Sequence, residues 1–409
     1  MAEAPPRVGL DLPGLLQAAM QSNASDIHLK PGRCPVFRIN GELVDLAKHP
    51  KLTAPDVAHT AETMLDERLV ALFKENNEVD LAYSLPGVGR FRVNIYRQRG
   101  SIAIAMRSIP YQIRNFDDLG LPPALHKICL ERRGLVLVTG STGSGKSTTL
   151  ASMVEAINST RTCHIITIED PIEFLIRDKK SIISQREVGF DTKGFGSALR
   201  VALRQDPDVI FVGEMRDFET MTTALQAAET GHLVLSTLHT TDVMETISRV
   251  LAVFPTHQED LIRFQLASCL RAIVCQRLIA RADGRGRAPA VEVLVNNARV
   301  HDCIRDAKKT GEIPDIIAQS FTTYGMQTFD MSLMQLVQNN IITIDAALEN
   351  ASNPGDFKLR LRGVSGIDEA RYDEYRQGQP KKKPGGEGGQ GGQGGAGGGF
   401  GDLLERFSE

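Results

Sequence analysis

The sequence predicts an α/β protein: a mainly parallel sheet with helices between its strands, preceded by a small α+β domain and followed by a glycine-rich tail. Three observations carry that expectation. From Gly134 onward, short continuous apolar runs recur between segments of helical spacing, as in strands buried on both faces. Before residue 110 the runs instead alternate apolar with polar side chains, as half-buried strands do. The final stretch holds about a third of the 37 glycines and cannot pack a core. The expected boundaries are 1–112, 113–365 and 366–409.

The first domain opens with a short amphipathic helix, Leu12 to Ser22. Val36 to Ile39 reads as a strand, and Asn40-Gly41 as a hairpin turn in which both residues reach positive φ. Phe91 to Tyr96 alternates as a further strand. Pro110 to Pro123 is expected to be a hinge, because Pro122-Pro123 interrupts any helix. The second domain then begins with Leu135–Val138, followed by Ile165–Ile168, Val209–Val212 and Leu233–Leu235 as parallel strands. Helices are expected at Thr148–Asn158 and Glu219–Glu229. Ile262, Leu266, Cys269, Leu270 and Ile273 share one face at 3.6 spacing, which predicts another helix, with more running to about Leu348. In the tail, Phe400, Leu403, Leu404 and Phe407 recur at helical spacing, an apolar stripe expected to order only against a partner groove.

Composition narrows the class. The 409 residues are 42% hydrophobic and 24% charged, as in ordinary globular chains. Lys+Arg 47 against Asp+Glu 50 gives a formal charge of −3, so no overall basic field argues for nucleic acid. No apolar run approaches the roughly 20 residues of a membrane span, and the start lacks a secretory layout. The six cysteines form no C-x-x-C pair, as expected of reduced thiols in the cytoplasm.

The chemistry sits in the second domain. Gly140, Ser141, Thr142, Gly143, Ser144, Gly145, Lys146 and Ser147 follow a strand and precede a helix, a P-loop with Thr148 next in line. Glycines let backbone N–H groups wrap phosphates, and the helix N-terminus adds favourable partial charge. Lys146 is expected to bridge phosphates and the Ser147 hydroxyl to bind Mg²⁺, so ATP and Mg²⁺ are the expected ligands. Glu169 ends the next strand, where ligands of open α/β sheets bind, and is the candidate to activate water. Glu214 follows the apolar run Val209–Val212 and is the candidate Mg²⁺ partner. The opposite assignment of these two acids is equally compatible with their positions. His232 and His239 flank the strand Leu233–Leu238. His239 is expected to sense the γ-phosphate and His232 to orient a neighbour.

These segments, with Ser184–Thr192 between them, resemble in order the Walker A, Asp-box, Walker B and His-box motifs of the type II/IV secretion ATPases. Ser25–Leu29, Arg90–Asn94 and Gly325–Asp330 are similar to signatures of the branch that powers type IV pilus retraction, and the likeness spans about residues 12–363. That resemblance implies a PAS-like first domain, a RecA-like second domain and a homohexamer that hydrolyses Mg-ATP to drive pilus retraction and twitching. It implies a nucleotide between the domains, with Arg92 and Arg107 as arginine fingers and Arg99 as a displaced third. It further implies an inner-membrane platform protein and a paralogous retraction ATPase as partners, at the cytoplasmic base of the pilus. One departure stands out: the family's retraction-linked segment is degraded at Arg299–Asp306, keeping Ile304-Arg305. Lys180–Ile183, Val291–Leu294 and Arg360–Arg362 lean toward an accessory type, so a nucleotide-binding regulatory subunit is the alternative. An extension or type II secretion motor fits less well, because the usual tetracysteine is missing.

Overall fold

The alternating runs before residue 110 and the continuous runs after residue 134 sort into two separate sheets in a computed structural model, which describes residues 10–110 and 112–361. The described residues divide into two units, 10–110 and 112–361.

The first unit has six antiparallel strands: β1 (Asp26–Leu29), β2 (Val36–Ile39), β3 (Glu42–Asp45), β4 (Glu78–Leu85), β5 (Gly89–Gln98) and β6 (Ser101–Ile109). Their order is β3-β2-β1-β6-β5-β4. Period-2 alternation puts Phe91, Val93 and Ile95 inside and leaves Arg92 exposed. Three helices, Leu12–Gln21, Ala54–Glu62 and Glu67–Asn76, supply the rest of this core. The second begins with a capping box in which Thr53 and Asp56 satisfy each other's backbone N–H groups. Asn40 and Gly41 both have positive φ, 51° and 90°, and turn β2 into β3. Arg99 and Gly100 do the same between β5 and β6.

The second unit is a seven-stranded sheet: β7 (Gly134–Thr139), β8 (His164–Glu169), β9 (Ile182–Glu187), β10 (Val209–Val212), β11 (Leu233–Leu238), β12 (Leu270–Ala280) and β13 (Arg287–Val295). The order is β13-β12-β7-β11-β10-β8-β9, parallel except for the β12–β13 pair. Both faces are covered, which explains why these strands read as unbroken apolar runs. Leu135 and Leu137 enter one core, while Val136 and Val138 enter the other. Each such side chain contributes roughly 1.5–3 kcal/mol relative to exposure, so the register of the sheet is firmly held. Among the described residues, no helix is long and apolar enough to cross a membrane.

One expectation is corrected here. The helix holding Ile262 and Leu266 ends at Cys269, and Leu270 and Ile273 belong to β12. A strand buried on both faces is continuously apolar, so its residues also fall on a helical stripe by coincidence. Strand β13 likewise lies inside a stretch read as helical, although helices from Ala298 to Leu361 do follow it. The glycine-rich tail and its apolar stripe lie outside the described residues.

Candidate active site

Parallel register decides which side chains meet. Leu238 pairs with Thr139, Val212 with Ser236, and Val212 with Ile168. The residues that follow, Gly140, Glu169, Gly213-Glu214 and His239, therefore leave the sheet along one edge, its C-terminal edge.

Strand β7, entirely buried, delivers the loop Gly140–Gly145 to the helix Lys146–Thr160. Glycine is required at two points. A Cβ at Gly140 (φ +146°) would stand 2.4 Å from the Gln276 carbonyl oxygen and 2.5 Å from Ser144 Oγ. A Cβ at Gly145 (φ +93°) would stand 2.8 Å from Gln276 Nε2. The helix begins with no side-chain cap, so its first N–H groups have no side-chain acceptor. Ser144 Oγ is buried without a hydrogen-bond partner. Uncapped amides, an orphaned hydroxyl and a glycine cradle fit a phosphate chain. Lys146 is buried, its Nζ donating to the carbonyls of Gly140 (2.9 Å) and Ser141 (3.0 Å). Burial lowers its pKa, against the opposing pull of Glu214 and Glu173. Ser147 and Thr148 lie in the first turn of the same helix.

The acids occupy two different settings. Glu169 closes β8 and is 7% exposed. Its Oε1 accepts from Thr167 Oγ1 at 2.6 Å and from Gln185 Nε2 at 3.0 Å. Burial nevertheless pushes its carboxyl above the ordinary range. Glu214 follows β10; its Oε1 accepts from Arg216 and lies 3.1 Å from His239 Nε2. Two buried hydroxyls on β11 fix the backbone beneath it, with Ser236 donating to the Val212 carbonyl (2.7 Å) and Thr237 to that of Gly213 (2.6 Å). The run Leu235–His239 is thus strand, backbone brace and neighbour of Glu214 in sequence.

Other candidates stand elsewhere. His232 precedes β11 at the opposite edge, beside the start of β7, where Gly134 N–H donates to its carbonyl at 2.9 Å. Its ring Nδ1–H donates to the Ala227 carbonyl at 2.9 Å. A six-residue strand, about 20 Å long, separates it from the P-loop edge, so this chain's own P-loop is beyond its reach. Arg92 and Arg107 are exposed cross-strand neighbours in the first unit, and Arg107 Nε donates to Asp26 at 2.9 Å. Arg99 occupies the β5–β6 turn.

Sequence reasoning missed Gln276 on β12. Its Oε1 accepts from Thr149 Oγ1 at 2.7 Å in a buried contact, and its backbone and amide crowd two P-loop glycines. No sequence signal points to it, because a strand buried on both faces also fits a helical stripe. A cleft of about 630 Å³ opens beside Gly145, Thr148 and Thr149, with Arg114, Arg281, Arg285 and Arg287 in its wall. That volume lies in the range that holds small ligands.

A glycine cradle on a helix N-terminus, facing carboxylates and a histidine along one sheet edge, defines a P-loop nucleotide hydrolase. The chain belongs to the type II/IV secretion system protein family, whose model matches residues 8–340. It is 42% identical over 348 residues to the type IV pilus retraction ATPase PilT of Pseudomonas aeruginosa, covering 85% of this chain and 100% of that one. It is 38% identical over 364 residues to the type IV pilus ATPase PilU of the same organism, covering 89% and 94%. A crystal structure of the pilus retraction motor PilT with bound ADP superposes with a TM-score of 0.76 at 45% identity, over 85% of this chain and 98% of that chain. The α/β fold expected from sequence is the fold of these ATPases.

Proposed function

We propose that this protein is the ATPase that drives type IV pilus retraction, and hence twitching motility, as a homohexameric ring. One observation carries the reading: Gly140–Ser147, Glu169, Glu214 and His239 converge on one sheet edge in a chain similar to PilT over that relative's full length. The P-loop amides, Lys146 and Ser144 bind and orient the phosphates of ATP. Ser147 and Glu214 would hold Mg²⁺, which when bound neutralises phosphate charge. Glu169 acts as the base toward water, a role that a carboxylate with a raised pKa suits near neutral pH. His239, tied to Glu214, couples the phosphate end of the site to the loop beyond β11. His232 is assigned to the turn before β11.

The two-domain division is proposed to be functional, with the first unit completing a nucleotide site through Arg92 and Arg107. Mixing Lys146→Ala with Arg107→Ala subunits should restore part of the lost turnover, because one intact site then forms at some junctions. No recovery in verified mixed rings would place the arginine's action in its own chain or nowhere. The ring is proposed to sit at the cytoplasmic base of the pilus against an inner-membrane platform protein. The direct test is phosphate release from the purified ring, with gene deletion scored for pili and twitching. Hyperpiliated, non-motile cells are expected; bald cells would indicate extension instead. A second reading, an accessory subunit beside a principal motor, is favoured by the broad match to PilU and by the altered segment Arg299–Asp306, which forms most of a helix. Normal retraction after deletion when a paralogous motor is present, with slow hydrolysis in vitro, would select it.

A further inference from the structure

We propose that Glu292 is a positioning residue for hydrolysis, fixing the loop that carries His239 by capping the helix immediately after it. The assignment rests on the function proposed above and on contacts that reading does not use. Glu292 lies in the middle of β13, 9% exposed, and its Oε2 accepts the backbone N–H of Val243 at 2.9 Å. Val243 begins the helix Val243–Ala252, which already has its own cap, Asp242 accepting from Glu245 N–H at 2.8 Å. A carboxylate buried in a sheet strand is expensive unless it is paired. What Glu292 adds is a tie from β13 to the chain four residues past His239.

A second tie runs alongside it. Thr246, one turn into the helix, shares a 2.7 Å hydrogen bond with Thr240, the residue after His239. The Thr246 hydroxyl also approaches Thr139 Oγ1, at 3.5 Å, and Thr139 is the last residue before the P-loop. Cys275, across from Glu292 in the β12–β13 register, completes this buried cluster through contacts with Thr139 and Thr246. The loop from His239 to Val243 is therefore pinned at both ends, once to the P-loop strand and once to Glu292.

Charge decides how firmly the second pin holds, since a carboxylate at a helix N-terminus binds the amide better than a carboxylic acid does. The groups acting on Glu292 are Asp242 from the helix cap, Arg277 and Cys275 from β12, and the Val243 amide. Burial and Asp242 push its carboxyl up, the amide, Arg277 and Cys275 pull it down, and it settles at about 7. Protonation as pH falls through neutrality should loosen the His239 loop.

The experiment is steady-state ATP hydrolysis by full-length assembled protein from about pH 6 to about pH 8, comparing wild type, Glu292→Gln, Glu292→Ala and Lys146→Ala. Glutamine keeps an acceptor and loses the charge, so it mimics the protonated acid at every pH. Its kcat should match wild type near pH 6 and fall about 3-fold below it near pH 8, with little change in KM. Glu292→Ala should lower kcat by roughly 10-fold across the range, again with KM altered less than about 3-fold. If alanine prevents assembly, the glutamine profile alone decides. A glutamine-to-wild-type ratio that stays constant with pH, or a loss confined to KM, overturns the assignment. Wild-type hydrolysis no faster than Lys146→Ala would overturn the functional reading itself and this assignment with it. Normal wild-type turnover with a pH-independent glutamine ratio removes Glu292 alone.

Discussion

The two edges of the seven-stranded sheet are built from the same strands yet gather different side chains. At the C-terminal edge, Lys146 and Glu169 are buried, Glu214 is half-buried and His239 is exposed, each with named partners. At the N-terminal edge, His232 donates to the Ala227 carbonyl, which steadies the turn into β11. The two histidines that flank β11, seven positions apart, thus have different surroundings. The difference teaches that a parallel sheet sorts residues by edge: helix N-termini and strand C-termini gather on one side, and that side attracts anions.

The sharpest way to break this comparison is to remove the cation at the active edge. Lys146→Ala should cut turnover at least ~10²-fold, because its ammonium is the buried positive charge of the P-loop. Phosphate release from the assembled mutant measures it, and unchanged turnover would falsify the site assignment.

Exchanging the acids separates their two settings. Glu169→Gln should abolish most turnover, by ~10²-fold or more, while leaving ATP binding intact. Glu214→Gln should in addition raise the Mg²⁺ concentration needed for activity. A Mg²⁺ titration beside nucleotide binding distinguishes them, and normal turnover in Glu169→Gln with loss in Glu214→Gln reverses the roles. The sign of the pH effect follows from burial. A base whose pKa is raised loses activity as pH falls through a value above the ordinary carboxylate range.

The smallest contrast is between the histidines. His239→Ala should lower kcat by roughly 10-fold, since Glu214 loses its imidazole partner. His232→Ala should change kcat less than about 3-fold and instead lower the melting temperature, as one side-chain hydrogen bond worth about 1 kcal/mol disappears. Equal kinetic losses from both substitutions would mean that the edges are not functionally distinct.

Much of this was legible in the linear chain, because the relevant physics is local. Gly140–Ser147 reads as a glycine-rich loop suited to a phosphate when it stands between strand and helix, and Asn40-Gly41 as a turn, since few other residues accept positive φ twice in succession. Glu169, Glu214 and His239 announced themselves as polar residues ending apolar strands. What the tertiary structure alone decided depends on residues far apart in sequence. Gln276 reaches Thr149 from 127 positions away, and Glu292 reaches Val243 from 49. Their strands, buried on both faces, carry no periodicity that separates them from helix, and a polar residue inside such a run has no local signature of its partner. The histidines make the same point, since sequence spacing cannot say that one lies beside Glu214 and the other beside the Ala227 carbonyl at opposite edges of the sheet. That follows from the common direction of the parallel strands, which long-range pairing creates.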